Sequence, residues 1–333
     1  MEKNKWGILI SAVMVVVVAA GAAFFESNRQ PRSQQENFVV LPGENFLKIA
    51  DNLKAEGYIK SKIFFIFETV FSGNLKKLKA GIYNLKNQDT SQIIKKLSRG
   101  QTVPIEFTVI PGWSVGDIAK NLETKKIAAK TDFLAAVLNG IPDGFRDEFD
   151  FLQDVPDGAS LEGYLFPDTY YIAANPESRD IAQQMLENFG EKLTPQIREE
   201  IKKQDKKVFD IVVMASLLEK EVRTKEDKKI VAGILWKRTG KGWPLQVDST
   251  LLYFLVSDHP SMDDKYVDSP YNTYKYGGLP KGPICNPGIE SIEAAIEPTA
   301  SDYLFYLSAR DGKTIFSKTY AEHLVNKAKY LDN

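Results

Sequence analysis

The sequence has little of what most enzymes use for nucleophilic or metal chemistry. Cys285 is its single cysteine, so no intrachain disulfide can form, and with His259 and His323 as the only histidines no zinc constellation can be built from imidazole and thiolate. No Gly-x-Ser-x-Gly elbow accompanies those histidines, which leaves a serine hydrolase without its frame. Charge of either sign is not in excess: the net charge of -1 gives no electrostatic reason to bind a polyanion, and nucleic acid is not an expected partner. Neither a metal nor a cofactor is expected. What remains for chemistry is carboxylates, aromatic rings and amides.

Long apolar runs are equally scarce, with one exception. Residues Trp6 to Phe25, WGILISAVMVVVVAAGAAFF, contain no charge. About 20 such residues, at roughly 1.5 Å rise each, match a bilayer core of about 30 Å. The rival reading is a cleaved signal peptide, since Ala20-Gly21-Ala22 resembles a cleavage site, but the run is longer than an ordinary signal core. A lipoprotein is excluded, because no cysteine follows the run to take the lipid. Lys3 and Lys5 precede it and Arg29 and Arg32 follow it, so the positive-inside count is nearly balanced. The expected arrangement is a single-pass anchor in the cytoplasmic (inner) membrane, with residues 1–5 in the cytoplasm and the body extracytoplasmic.

The polar stretch 26–37 reads as a tether. Beyond it, FVVLPGENFLKIADNL (Phe38 to Leu53) recurs as FTVIPGWSVGDIAKNL (Phe107 to Leu122), a shift of 69 residues that keeps the Pro-Gly, Ile-Ala and Asn-Leu pairs in register. Each copy has a β-type run, a Pro-Gly turn, and apolar residues at helical spacing: Phe46, Ile49, Ala50 and Leu53, then Val115, Ile118, Ala119 and Leu122. The first copy resembles the start of a LysM module, a small glycan-binding fold. On pattern alone the favoured reading is that these positions are simply core, without any sugar.

Further on, ASLEGYLFPDTYYI (Ala159 to Ile172) surrounds Glu162 with aromatics, suited to gripping a pyranose ring or to packing a core. A helix is expected from Ser178 to Glu191, then a solvated helix over IREEIKKQDKK. From Val208 to Val222 apolar residues fall at 208, 211, 212, 215, 218 and 222, a buried helical stripe. At about 100° per residue, Glu219 lies roughly 50° from the centre of that stripe and Glu221 about 110° away, beside Leu217. Glu219 is therefore the carboxylate expected on the buried side, either ion-paired to Arg223 four residues on or held as a protonated acid lining a cleft. Downstream, PLQVDST and the Gly-, Pro- and Tyr-rich SPYNTYKYGGLPKGPICNPG (Ser269 to Gly288) read as a loop lining a groove.

LEGYLFPDTY, ASLLEKEV, LQVDSTLLY, SPYNTYKYGGLPKGPICNPG and SDYLFYL, in this order behind an apolar run and a LysM-like segment, resemble the MltG (YceG-like) family of endolytic murein transglycosylases. FSGNLKKLK, Phe71 to Lys79, matches that pattern least well. The resemblance implies an α+β chain: a transmembrane helix (6–25), a LysM-like module (38–103), a second repeat-related module (104–160) and a mixed α+β catalytic domain (161–333). It implies a lyase that cuts the β-1,4 bond between N-acetylmuramic acid and N-acetylglucosamine, forms a 1,6-anhydro ring and ends the growth of nascent glycan strands. The partners it implies are peptidoglycan strands and the membrane, with peptidoglycan synthases as further candidates. It places the essential acid at the first glutamate of Ser-x-x-Glu-Lys-Glu, Glu219. Gln246, Asp248, Tyr271, Asn272, Thr273 and Tyr274 are the candidates for holding the glycan, with Glu162 beside them. An ordinary peptidoglycan hydrolase, with Asp248 or Glu162 as second carboxylate, and a non-catalytic glycan-binding scaffold are the alternatives.

Overall fold

The computed structural model describes residues 14, 21, 23–27, 36–41, 43–174, 176–255 and 263–331. Most of the apolar run Trp6 to Phe25 and His259 lie outside these residues. Among the described residues no helix is long and apolar enough to cross a membrane. The chain forms two compact units, residues 1–106 with 171–175 and residues 107–170 with 176–333. The segment 104–160, expected as a module of its own, falls almost wholly in the second unit.

The first unit runs β1 (Asn37–Val40), α1 (Phe46–Ala55), α2 (Lys62–Phe71), β2 (Gly81–Asn84) and α3 (Thr90–Arg99). Strands β1 and β2 pair antiparallel, Phe38 opposite Tyr83. Alternation along β1 sends Phe38 and Val40 inward, where they meet Ile49, Ala50 and Leu53 of α1 and Phe65 of α2. Helix starts follow from side chains that accept from orphan N–H groups: Asn45 for α1, Ser61 for α2, and an Asp89/Gln92 capping box for α3.

The repeat recurs at the start of the second unit. β3 (Ile105–Thr108) leads through Pro111-Gly112 into α4 (Val115–Thr124), capped by a Ser114/Asp117 box. Gly43 (φ 76) and Gly112 (φ 87) both occupy the left-handed region, which explains a Pro-Gly turn in each copy. After α5 (Lys130–Leu138) and α6 (Phe145–Glu148), β4 (Thr169–Ile172) pairs with β3, and the chain passes between the units within both strands. Each copy thus brackets its helices between the two strands of a small sheet.

The rest of the second unit is mostly helical: α7 (Ser178–Lys192), α8 (Pro195–Lys203), α9 (Val208–Glu221), α10 (Lys225–Gly240), α11 (Asp248–Phe254) and α12 (Ile289–Ile296). An antiparallel pair, β5 (Phe305–Ser308) and β6 (Thr314–Ser317), and α13 (Tyr320–Tyr330) close the chain. Helix α9 sits at the centre, packed against α10, α11 and α12, with Val208, Phe209 and every residue from Ile211 to Leu218 buried. Each of its larger apolar side chains contributes about 1.5–3 kcal/mol through burial. A helix buried all round presents no single inner face.

Candidate active site

Two carboxylates end α9, and two helical positions turn Glu219 and Glu221 about 200° apart, so they meet different walls. On Glu219, Lys228 Nζ of α10 lies 3.2 Å from Oε1, while Gly288 N–H (2.9 Å) and Ser291 Oγ (2.7 Å) donate to Oε2. Gly288 is the N-cap residue of α12, so the carboxylate also meets the positive end of a helix dipole. Both members of the Lys228–Glu219 pair are nearly enclosed, their side chains 6% and 11% exposed. Glu219 is thus ion-paired, one of the two alternatives the sequence left open, to Lys228 rather than to Arg223, and it clamps α9 to α10 and α12.

Glu221 faces the other way, onto a cavity of about 440 Å³ that Gln246, Asp248, Lys265, Tyr274, Tyr306 and His323 help to line. Ser249 Oγ (2.9 Å) and Tyr306 OH (3.2 Å) donate to its two carboxyl oxygens. Burial pushes the Glu221 carboxyl above the usual range, and the Asp248 charge adds to that, against the opposing hydrogen bonds from Ser249 and Tyr306. A carboxyl group held toward its acid form on the wall of a polar cavity is suited to giving up a proton there.

The cavity wall is tensioned. Gln246 holds φ at 55, a left-handed conformation that costs a non-glycine residue roughly 1–3 kcal/mol. Its N–H donates to the Thr273 carbonyl (3.0 Å), and Val247 N–H donates to Thr273 Oγ1 (3.0 Å), so the Tyr-rich loop fixes this turn. Tyr274 OH donates to Asp248, and burial followed by that carboxylate pushes the phenol well up. Lys265 Nζ stands 4.6 Å from the centre of the Tyr274 ring.

The other expected site residues are not brought to this cavity. Asn272 and Thr273 are buried. Asn272 Nδ2 donates to the Lys265 and Val267 carbonyls, and its Oδ1 accepts from Tyr274 N–H, which makes it a brace for the loop. Glu162 and Tyr271 belong to a separate buried cluster. Glu162 accepts from Val115 N–H (3.0 Å), Asn286 Nδ2 (3.1 Å) and Tyr253 OH (3.3 Å), and the Tyr253 ring lies 5.0 Å from that of Tyr271. Asn286 Oδ1 accepts from the Gly163 and Leu165 N–H groups, tying the aromatic segment to the far end of the loop. Residues 282–287 are buried, so that end of the loop is core and not a groove wall.

Burial pushes Glu162 up to about 8, outweighing its hydrogen bonds. The folded chain then holds a proton that the unfolded chain releases near pH 4.5, so this contribution to stability is full below that value and lost as pH rises through about 8. Thermal unfolding should show stability falling between pH 5 and pH 8, with a shallower fall in Glu162→Gln; equal slopes in both would contradict the assignment.

Sequence reasoning set Glu221 aside in favour of Glu219 and did not group Ser249, Tyr306 and Lys265 with it. Ser249 and Tyr306 sit inside the quoted motifs LQVDSTLLY and SDYLFYL, which is the signal that could have found them. Among the described residues no group of three or more His, Cys, Asp or Glu side chains is placed to hold a metal ion.

The model of the YceG-like family matches residues 38–329, nearly everything after the tether. The chain belongs to the YceG-like family. Relatives in it include an endolytic murein transglycosylase of Bacillus subtilis, 33% identical over 327 residues, covering 94% of this chain and 89% of the relative. An endolytic murein transglycosylase of Streptococcus pneumoniae is 30% identical over 87% of this chain, which spans 57% of that longer protein. A YceG-like protein of Listeria monocytogenes, known from a 2.6 Å crystal structure, superposes with a TM-score of 0.61 at 32% identity, over 89% of this chain and all of the other.

Proposed function

We propose that this member of the YceG-like family is an endolytic murein transglycosylase, a lyase acting on peptidoglycan glycan strands; the family resemblance puts the acid at Glu219, whereas the cavity and the raised carboxyl favour Glu221 as acid and then base. The observation that carries the residue assignment is the single cavity shared by Glu221, Gln246, Asp248 and Tyr274. The reaction needs one transferable proton at one place. Glu221 gives its proton to the glycosidic oxygen as the bond from C1 of N-acetylmuramic acid to that oxygen breaks. The sugar's own 6-hydroxyl then attacks C1, its proton returns to Glu221, and a 1,6-anhydro ring closes without water. Gln246, Asp248 and Tyr274 supply amide, carboxylate and phenol groups for hydroxyl and acetamido groups of the glycan. Tyr306 and Ser249 orient the Glu221 carboxyl. Cutting inside a strand in this way would end the elongation of nascent glycan.

A hydrolase is the second reading, because Asp248 shares the cavity and could activate water. Glu162 is a poor second carboxylate, being enclosed in the Asn286 cluster. Product ends separate the two: mass spectrometry of digested peptidoglycan should find 1,6-anhydromuramic acid, and reducing ends alone would sink the lyase reading.

The apolar run Trp6 to Phe25 is read as an uncleaved single-pass anchor in the cytoplasmic membrane, which would hold the body extracytoplasmically beside its substrate and the peptidoglycan synthases. The full chain should stay with membranes through a carbonate wash. Soluble protein starting near Ala23 would overturn the anchor.

A further inference from the structure

Helix α2 carries an apolar stripe that is exposed among the described residues. Ile63, Phe67, Val70 and Phe71 fall at i, i+4, i+7 and i+8, on one face, and are 80%, 55%, 53% and 85% exposed. Phe65 and Thr69 on the opposite side are buried, so the helix is already anchored to its own core, and Phe64, next to Phe71 at the edge of the stripe, is buried too. The exposed rings of Phe67 and Phe71 stack at 5.9 Å. Leu75 continues the surface, followed by exposed Lys76 and Lys77, within the FSGNLKKLK stretch that fits the family pattern least.

What covers this face is indicated by the end of the apolar run. Phe25, its last residue, packs edge-on against Phe64 of α2 with ring centroids 4.7 Å apart, and Ser27 accepts a hydrogen bond from Lys60 just before the helix. The apolar run therefore emerges beside the stripe. Aromatic and aliphatic residues with lysines at their edge are the composition of a segment lying in a bilayer interface, rings at the acyl boundary and ammonium groups among phosphates.

We propose that α2 and the loop after it rest on the lipid surface, with Ile63, Phe67, Val70, Phe71 and Leu75 in the interface and Lys76 and Lys77 against anionic headgroups. The proposal rests on the reading of Trp6 to Phe25 as a membrane anchor. Its consequence is that the first unit is held to the membrane at two places, and its orientation there is set by the protein's own surface.

The test uses the full chain in vesicles containing anionic lipid, in a Cys285→Ser background that keeps the buried donor to the Ser216 carbonyl. A nitroxide is attached at Ile63→Cys, at Phe71→Cys, or at Lys54→Cys on the exposed side of α1 as the control. Relaxation by oxygen should exceed relaxation by an aqueous nickel chelate by about threefold or more at Ile63 and Phe71, with the order reversed at Lys54. Equal nickel accessibility at all three sites in protein that withstands the carbonate wash would overturn the inference while leaving the anchor intact. Dipolar broadening between Phe71 labels would assign the face to a second copy of the chain and overturn it as well. Release by the wash would remove the anchor reading, and this inference with it.

Discussion

Glu221→Gln should keep the fold and lower turnover of peptidoglycan by about 10²–10⁴-fold, the range general acid-base catalysis contributes, or more because one group serves both proton transfers. Glutamine retains the shape of the side chain, its oxygen still accepts from one of Ser249 and Tyr306 while its NH2 donates to the other hydroxyl, and it removes the transferable proton. Substrate affinity should change far less than turnover, since Gln246, Asp248 and Tyr274 remain in place. The wild-type rate of the first step should decline as pH climbs through the raised Glu221 value, because the acid form disappears there. Initial rates on purified glycan strands across pH check both statements, and a pH profile that rises monotonically through the alkaline range would contradict the acid role.

The second large effect is on stability. Glu219→Gln leaves the Lys228 ammonium enclosed without its counter-charge, and breaking a buried pair by removing one partner costs about 3–5 kcal/mol. Lys228→Met in the same chain removes the stranded charge and should recover much of that loss. Three of the four tryptophans, Trp113, Trp236 and Trp243, lie in the second unit, so urea unfolding followed by their fluorescence reports on the region that holds the pair. A single variant as stable as the wild type would mean that Glu219 does not clamp α9 to α10 and α12.

Local structure was legible in the sequence where a local rule decides it. The repeat at 69 residues reappears as two strand-turn-helix units, with Ile49, Ala50 and Leu53 and their counterparts Ile118, Ala119 and Leu122 buried as their spacing implies. The helix expected from Val208 to Val222 runs Val208–Glu221. Which of Glu219 and Glu221 faces the Gln246–Tyr274 cavity was not legible, because a helical wheel ranks faces only when one face is exposed. α9 is buried on all sides, so its stripe carried no information about which carboxylate meets solvent-filled space and which meets Lys228. That distinction is made by Ser249, Tyr306 and Gly288, which lie 28, 85 and 69 positions from the carboxylates they bind. The Tyr-rich loop is a mixed case. Its composition marked it as functional, yet only Tyr274 of its four expected contact residues lines the cavity, while Asn272 and Thr273 hold the turn and Tyr271 joins the Glu162 cluster.

The proposed proton donor is Glu221, the carboxylate on the cavity. Its most direct test is the yield of 1,6-anhydromuramic acid ends, measured by mass spectrometry on purified peptidoglycan. Three full-length proteins are compared below the melting temperature of each: Glu221→Gln, Glu219→Gln, and Glu219→Gln with Lys228→Met. Glu221→Gln should yield almost none, while the folded Glu219 variants should release them at a rate within about tenfold of wild type. Near-normal release by Glu221→Gln, with none from a folded Glu219 variant, would contradict this assignment.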